Sequence, residues 1–236
     1  SAGWLSFESD CQVNDMKKHK DAFMKLFEQF KKDDCVRFAL NGLNNNDFSI
    51  PELYENILGP ALYAIDECDN NDNDCIWREH VKTAIVRTII ESIYPYVIEK
   101  KRNIASLNHK VVLVCPEKEY HEIGLRMMSD FFDLNGYESV FIGSNTPRDQ
   151  VCVAISQNNP KYVAIGITDF YLMFEAKKLI ARIRSQHSDR IKIILGGTAF
   201  HKNPSAVSEI GGDLYLASYN DIKNLAKEDS THETSI

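Results

Sequence analysis

The sequence predicts a four-helix bundle followed by a doubly wound α/β domain that is built on a five-stranded parallel sheet. Three observations lead to this fold class. The first hundred residues repeat apolar side chains at helical spacing, the second half alternates unbroken apolar runs with helical patterns, and a charged segment separates the two. We therefore expect a bundle over residues 13–101 and an α/β domain over residues 109–228.

The helices of the first half follow from apolar periodicity and from turn signals. They are predicted at about residues 15–32, 34–43, 49–68 and 76–100. Ser49 and Glu52 have the spacing of a capping box, and Pro51 lies in the first turn, so the third helix begins at this point. Four helices with short connections are typical of a small bundle.

Residues 69–74, between the third and fourth helices, read Asp-Asn-Asn-Asp-Asn-Asp and suggest a calcium loop at first sight. An EF-hand loop requires Gly at its sixth position and Glu at its twelfth, and neither is present here. A solvated connection between two helices is the better interpretation.

Five unbroken apolar runs in the second half have the length of buried strands. They lie at residues 111–115, 140–142, 162–167, 191–195 and 214–216, and helical patterns follow them at residues 121–134, 147–157, 173–185, 204–210 and 220–227. Unbroken apolar strands that alternate with helices predict a parallel sheet covered on both faces. The polar residues 228–236 are expected to form a mobile tail without a role.

Composition and charge argue against several function classes. The 236 residues include 27 basic and 34 acidic side chains, and a net charge of -7 does not favour a nucleic-acid surface as the main feature. Neither a membrane span of about 20 apolar residues nor the apolar segment of a signal peptide is found. The six cysteines form no CxxC pair and do not have the spacing of zinc ligands, so we expect reduced thiols in a cytoplasmic protein.

Three loops of unusual sequence follow the first, third and fourth predicted strands, at residues 116–124, 168–171 and 196–200. In an open parallel sheet, ligands bind beyond the carboxyl ends of the strands. Neither GxGxxG nor GxxxxGK[ST] follows the first strand, which argues against a dinucleotide site and a P-loop. The chemistry is therefore expected in the polar residues of these three loops.

The first loop contains Glu119-x-His121-x-x-Gly124, which resembles the Asp-x-His-x-x-Gly signature of cobalamin-binding domains. Gly196-Gly197 and the segment 211–213 fall at the corresponding places, and many members carry a four-helix cap upstream, so the resemblance covers about residues 15–227. It implies cobalamin as the cofactor, with the adenosyl, methyl or hydroxo form left open. The implied cofactor-binding residues are Glu119, His121, Glu122, Ile123, Gly124, Gly166, Thr168, Gly196, Gly197, Thr198, Glu79 and His80.

The chemistry of cobalt is consistent with His121 as the lower axial ligand. A flat corrin leaves two axial positions on the metal, and a neutral imidazole nitrogen suits a transition metal. Glu119 would accept the other ring N–H and fix the tautomer, although Asp is commoner at this position. Gly124 would permit close contact between the helix start and the macrocycle or its nucleotide tail, and Gly196 and Gly197 would leave room for the tail.

The loop after the third strand departs from the family pattern at one position. Gly166 stands where many relatives carry a Ser that contacts the nucleotide base, and Thr168 is a candidate to replace that contact.

The pair Glu79-His80 in the fourth helix resembles the cap of cobalamin-dependent light-responsive regulators. In those proteins a Trp, nine intervening residues and a Glu-His pair cover the upper face of the cofactor. Here the Trp position falls on Asp69, and a hydrated carboxylate implies a more open or more polar upper cavity. His80 would then approach the upper face of cobalt, replace a lost alkyl group, or serve only as a hydrogen-bond donor.

Two function classes fit these features. The first is a sensor or regulatory module that responds to its upper ligand or to light, and Glu79-His80 supports it. The alternative is a corrinoid protein that carries methyl groups between partner methyltransferases. Both are binding or carrier roles, in which the cofactor supplies the chemistry and the chain is not expected to be an enzyme.

A third class, a flavodoxin-like signalling domain without cobalt, is disfavoured by the helical cap. The expected partners are cobalamin and either a signalling protein or a methyltransferase, with no nucleic acid and no membrane, and a homo-oligomer stays open.

Overall fold

The structure is a computed structural model that describes residues 4–64, 75–201 and 203–233. Its contacts divide the chain into two units, one ending at Tyr96 and the other beginning at Val97. This boundary lies inside a long helix. In the part of the chain that is described, every helix falls short of the length or the apolar character needed to cross a bilayer.

The first unit is helical, as predicted. Its helices are α1 (Trp4–Glu28), α2 (Lys32–Asn45), α3 (Ile50–Glu52), α4 (Gly59–Tyr63) and α5 (Cys75–Lys101), which continues into the second unit. Fully buried side chains form the core of this unit, including Phe23, Phe27, Ile57, Ile89 and Ile93. Residues 65–74 lie outside the described ranges, and with them the end of the predicted third helix, the calcium-like tract and Asp69.

The predicted capping box opens α3. Ser49 Oγ accepts the Glu52 N–H at 3.3 Å, and the Glu52 carboxylate accepts the Ser49 N–H at 2.7 Å. A π-helical segment, Leu53–Leu58, joins α3 to α4, and the Gly59 N–H donates to the Tyr54 carbonyl five residues earlier. Pro60 follows directly and carries no N–H, so the regular ladder cannot continue through it.

The second unit is built on a five-stranded, all-parallel sheet with strand order β2-β1-β3-β4-β5. The strands are β1 (Lys110–Val114), β2 (Glu138–Gly143), β3 (Tyr162–Gly166), β4 (Lys192–Gly196) and β5 (Leu214–Tyr215). This is the order of a doubly wound sheet, in which the direction of winding reverses between β1 and β3.

Helices separate the strands, as predicted. They are α6 (Ile123–Asp133), α7 (Arg148–Asn158), α8 (Met173–His187), α9 (Ala206–Glu209) and α10 (Tyr219–Glu233). α7 contacts α8, and α6 contacts α10. Buried Val, Ile and Leu side chains of the strands pack with α7 and α8 in one hydrophobic core. The predicted fold class is confirmed.

The C-terminal helix differs from the prediction, because α10 continues through residues that were expected to form a mobile tail. Asp229 is 4% exposed and accepts hydrogen bonds from the hydroxyls of Tyr137 at 2.7 Å and Tyr162 at 3.0 Å. The Lys161 ammonium pairs with the same carboxylate at 2.6 Å. The expectation of a role-free tail is wrong for this residue, since these contacts attach α10 to the sheet.

The cysteines also differ in part from the prediction. Cys35, Cys115 and Cys152 are free and buried, as expected for reduced thiols. Cys75 is disulfide-bonded, so the prediction of a reduced thiol is wrong for that position.

Candidate functional site

The loops after β1, β3 and β4 meet at one edge of the sheet because the strands are parallel. β3 and β4 end in register at Gly166 and Gly196. The Ile167 N–H donates to the Gly196 carbonyl at 3.0 Å, so the two chains stay paired beyond the strands. The loop after β1 reaches this edge with Glu119 and His121, the two residues on which the sequence prediction depends.

Glu119 is fully buried and accepts four hydrogen bonds. One carboxylate oxygen accepts the His121 backbone N–H at 2.9 Å and lies 2.7 Å from His121 Nδ1. The other accepts the backbone N–H groups of Thr168 at 3.0 Å and Asp169 at 3.2 Å. Burial alone would raise the pKa of Glu119, but these hydrogen bonds outweigh it and hold the pKa below its usual value. The side chain is therefore a carboxylate that joins two loops.

His121 lies just before α6, and half of its side chain is exposed. Because the carboxylate of Glu119 accepts at Nδ1, that nitrogen carries the proton in the neutral imidazole, and Nε2 carries the lone pair. A single imidazole supplies a single ligand, so the site fits a metal whose other ligands come with a macrocycle, such as the cobalt of a corrin.

Cys115 is the other residue of this loop that could ligate a soft metal. Burial, and then the charges of Glu119 and Glu122, raise the pKa of its thiol far above the usual value. The thiol is fully buried and lies 3.9 Å from the His121 carbonyl oxygen. It therefore stays protonated and supports the loop, which leaves His121 as the better ligand.

The loop after β2 holds the His121 loop from the other side. The Asn145 N–H donates to the Glu119 carbonyl at 2.9 Å, and its side-chain oxygen accepts the Lys118 N–H at 2.9 Å. Glu122 precedes α6, and its carboxylate accepts the Ser144 N–H at 2.7 Å. Glu122 therefore ties the two loops together, and its role as a cofactor contact stays a prediction.

The three signature glycines occupy different surroundings. A Cβ added at Gly124 would meet no atom within 4 Å. By contrast, a Cβ at Gly196 would lie 2.9 Å from the Leu216 carbonyl oxygen. Gly197 has a φ of +107°, and its Cβ would overlap the Ile167 backbone. The fold itself requires glycine at 196 and 197, whereas the open space at Gly124 remains available to a ligand.

The remaining predicted residues at the sheet edge contact neighbouring elements of the same unit. Gly166 faces the Leu125 side chain, and an added Cβ would lie 3.3 Å from it. Ile123 is 5% exposed and belongs to the core. The Thr198 hydroxyl donates to the Thr168 carbonyl at 3.0 Å, which links the loops after β3 and β4.

Glu79 and His80 lie near the start of α5, in the helical unit. Glu79 is half-buried, and His80 is exposed. Their role at an upper face of cobalt remains a prediction, and the Asp69 position that was compared with a Trp is outside the described residues.

Sequence reasoning missed two contributors to the site. Asn145 was not singled out, although it follows β2 and so belongs to the same edge of the sheet. The backbone N–H groups of Thr168 and Asp169 carry no residue-type signal, because any residue at these positions could donate them to Glu119. The sequence could have pointed to these residues only through their position in loops that follow the carboxyl ends of strands.

The site can now be compared with known proteins. The model of the B12 binding domain matches residues 109–228, which is about half of the chain. Among curated proteins, none matches the chain significantly.

The chain was also compared with solved structures, and the first of these shows the same fold. The monomethylamine corrinoid protein of Methanosarcina barkeri aligns with a TM-score of 0.76 at 14% identity, over 90% of this chain and 98% of that one. A cobalamin-binding protein from Desulfitobacterium hafniense DCB-2 aligns with a TM-score of 0.49 at 14% identity, over 96% and 92% of the two chains. A methanol:cobalamin methyltransferase complex from Methanosarcina barkeri aligns with a TM-score of 0.47 at 18% identity, over 87% and 77%.

Proposed function

The chain belongs to the B12-binding domain family and binds cobalamin, and from this premise we propose that it is a corrinoid protein that carries methyl groups between partner methyltransferases. Bound cobalamin supplies the cobalt on which a methyl group is carried. His121 would hold the cobalt, and the loops joined by Glu119 would hold the histidine.

The observation that carries the proposal is the fully buried Glu119 carboxylate 2.7 Å from Nδ1 of a half-exposed His121. Glu119 keeps the proton on Nδ1, so that Nε2 is the nitrogen with a lone pair to offer to cobalt. The second Glu119 oxygen holds the Thr168 and Asp169 backbone. This fixes the loop after β3 beside the histidine and limits the positions that the imidazole can take.

Methyl carriage is favoured over sensing by the extent of the structural likeness. The fold of the monomethylamine corrinoid protein covers nearly all of that chain and most of this one, including the helical unit. The sensor interpretation, which was the first expectation, has only the Glu79-His80 pair in its support. No finding here supports a response to light, so carriage becomes the proposed function.

We expect His121→Ala to lose the visible spectrum of imidazole-ligated cobalamin, because no other described side chain of this loop presents a suitable neutral nitrogen. The measurement is a titration of purified protein with methylcobalamin and hydroxocobalamin, followed by absorbance. His187→Ala is the matched control, because His187 ends α8 and so lies at the opposite edge of the sheet. A His121→Ala spectrum identical to that of the wild type would remove the proposed ligand.

A second experiment separates carriage from sensing. The protein is loaded with methylcobalamin in the dark, and a partner methyltransferase with its methyl acceptor is added while the cobalamin spectrum is followed. Loss of the methyl group only when the enzyme is present supports carriage. Elution that changes on illumination in gel filtration, without methyl transfer, would support sensing instead.

A further inference from the structure

Exposed aromatic side chains lie on both of the loops that Glu119 joins. Tyr120, in the loop after β1, is 67% exposed. Phe170 and Tyr171, in the loop after β3, are 57% and 89% exposed, and their rings lie 6.5 Å apart at their centroids. A single exposed aromatic residue needs no explanation, but a group of them at the edge of the sheet where ligands bind indicates a ligand surface.

The 3-10 turn Phe170–Leu172, which we call the aromatic turn, is anchored at both ends. The Asp169 carboxylate caps it by accepting the Tyr171 N–H at 2.9 Å, and Leu172 packs against the hydrophobic core of the sheet. The two aromatic rings therefore project from a fixed backbone. Little backbone entropy is lost when such a turn contacts a ligand.

One carboxylate positions both the aromatic turn and His121. The first oxygen of Glu119 lies 2.7 Å from His121 Nδ1, and the second accepts the Asp169 N–H at 3.2 Å. Hydrogen bonds in series, through Glu119 and Asp169, thus connect the imidazole to the Tyr171 backbone. Because Glu119 is fully buried, a movement that removes one of its donors leaves the carboxylate imperfectly paired. The two loops are therefore expected to move together.

We propose that Phe170 and Tyr171 pack against the edge of bound cobalamin, and that Glu119 couples this contact to the ligation of cobalt by His121. The corrin carries methyl and amide groups at its periphery. Aromatic side chains bind such a surface by burying the methyl groups and stacking on the amides. Both residues lie outside the signature of the loop after β1, and they give the cofactor a second contact region on the loop after β3. The inference rests on cobalamin binding and not on methyl carriage.

The first test measures whether the aromatic turn lies near cobalt. A fluorinated phenylalanine is placed at position 171 of the full chain, and at position 189 as the control. Asp189 has a 94% exposed side chain and belongs to the turn after α8, at the opposite edge of the sheet. Fluorine NMR then compares protein loaded with hydroxocobalamin before and after its reduction to paramagnetic Co(II).

We expect reduction to broaden the fluorine signal at position 171 and to leave the signal at position 189 sharp. The unpaired electron broadens only signals from nearby nuclei, so this readout depends on distance and not on activity. Signals that stay sharp at both positions, or that broaden equally, overturn the proposal.

The second test measures affinity for hydroxocobalamin by absorbance. Tyr171→Ala should weaken binding by about 10-fold, because the aromatic surface buried against the cofactor is lost. Tyr171→Phe should bind as the wild type does, since packing and not the hydroxyl makes the contact. Val153→Ala is the matched control, because Val153 is an exposed apolar residue on α7 of the same unit. Wild-type affinity in both Tyr171→Ala and Phe170→Ala overturns the proposal.

A double-mutant cycle tests the coupling through Glu119. Glu119→Gln loosens the aromatic turn, so Tyr171→Ala should cost less affinity in that background than in the wild type. Val153→Ala should have no effect in either background. Losses that simply multiply in the Glu119→Gln, Tyr171→Ala double variant overturn the coupling.

These outcomes separate the inference from the proposed function. Carriage fails, and the aromatic contact stands, if no methyl group is transferred but the signal at position 171 still broadens. A protein that transfers methyl groups while the signal at position 171 stays sharp overturns the aromatic contact alone. A wild-type protein that binds no cobalamin overturns both.

Discussion

The carboxylate of Glu119 accepts hydrogen bonds from two separate loops, and the length of its side chain makes this possible. One oxygen binds His121, and the other binds the backbone of residues 168 and 169. The family signature has Asp at this position, which is one methylene shorter. Glu in place of the family's Asp therefore has a structural reason, because the longer side chain joins the histidine loop to the loop after β3.

We expect Glu119→Gln to weaken cobalamin binding by roughly 10- to 100-fold, the usual effect of removing the hydrogen-bond partner of a ligating histidine. The amide would present an NH₂ group either to His121 or to the Thr168 and Asp169 N–H groups, which are donors themselves. The cobalamin affinity of Glu119→Asp should lie between those of the wild type and Glu119→Gln, because the shorter side chain keeps the charge but reaches only one loop.

Absorbance titration with hydroxocobalamin measures this effect. Glu117→Gln is the control, since Glu117 belongs to the same loop and pairs with Arg148. Wild-type affinity in Glu119→Gln would contradict the assigned role.

Gly124 offers a second test at the scale of one residue, because a Cβ added there would meet no atom within 4 Å. Gly124→Ala should leave the free energy of unfolding unchanged or raise it by about 0.5–1 kcal/mol, as Ala is favoured over Gly in a helix. Cobalamin affinity should nevertheless fall, because the added methyl group occupies space that the macrocycle needs.

The control for this prediction is Gly197→Ala. Its positive φ and the overlap with Ile167 predict a loss of stability before any ligand is added. Urea unfolding and cobalamin titration of both variants check the contrast. If Gly124→Ala binds cobalamin as the wild type does, Gly124 is not at the cofactor surface.

At the scale of elements, α10 is fastened to the sheet by a buried carboxylate. At the amino-terminal ends of the strands, Asp229 accepts hydrogen bonds from two tyrosine hydroxyls and forms an ion pair with the Lys161 ammonium. Burial, and then the Asp229 carboxylate, raise the pKa of both Tyr137 and Tyr162. Both phenols therefore stay protonated donors, and the cluster persists throughout the neutral range.

We expect Asp229→Asn to lower the free energy of unfolding by about 3 kcal/mol, because it leaves a partly buried ammonium and two buried hydroxyls imperfectly paired. For a chain of this size the loss corresponds to a fall in Tm of roughly 6–12 °C. Glu228→Gln, the exposed neighbour on the same helix, should change stability by less than about 0.5 kcal/mol. Thermal unfolding followed by circular dichroism compares the two, and equal Tm values would show that the cluster does not fasten α10.

At the scale of the whole molecule, cobalamin binding should appear as thermal stabilisation. A ligand that binds only the folded state at about 100 times its Kd adds about 2.7 kcal/mol, which raises Tm by roughly 5–11 °C. We expect this shift in calorimetry for the wild type and its absence in His121→Ala. His80→Ala should keep most of the shift, since its predicted role concerns the upper ligand and not the lower bond. A full shift in His121→Ala would contradict the proposed mode of binding.

Much of the fold could be predicted from the sequence, because its signals are local. The five apolar runs became the five strands, and Ser49 with Glu52 became a capping box, since both depend on residues close together in the chain. The π-helical segment before Pro60 and the added length of α10 were not predicted. The first depends on how one proline interrupts a hydrogen-bond ladder, and the second on partners from distant strands.

For the site, the sequence alone determined the residue types: a carboxylate, an imidazole and a glycine in one loop at the end of a buried strand. Only the tertiary structure decided what each does. It brought the N–H groups of residues 168 and 169 to Glu119 and the carbonyl of Ile167 to Gly197. Backbone groups are chemically alike from residue to residue, so the sequence does not show which of them form contacts with one another. Those contacts depend on the packing of strands and loops that lie far apart along the chain.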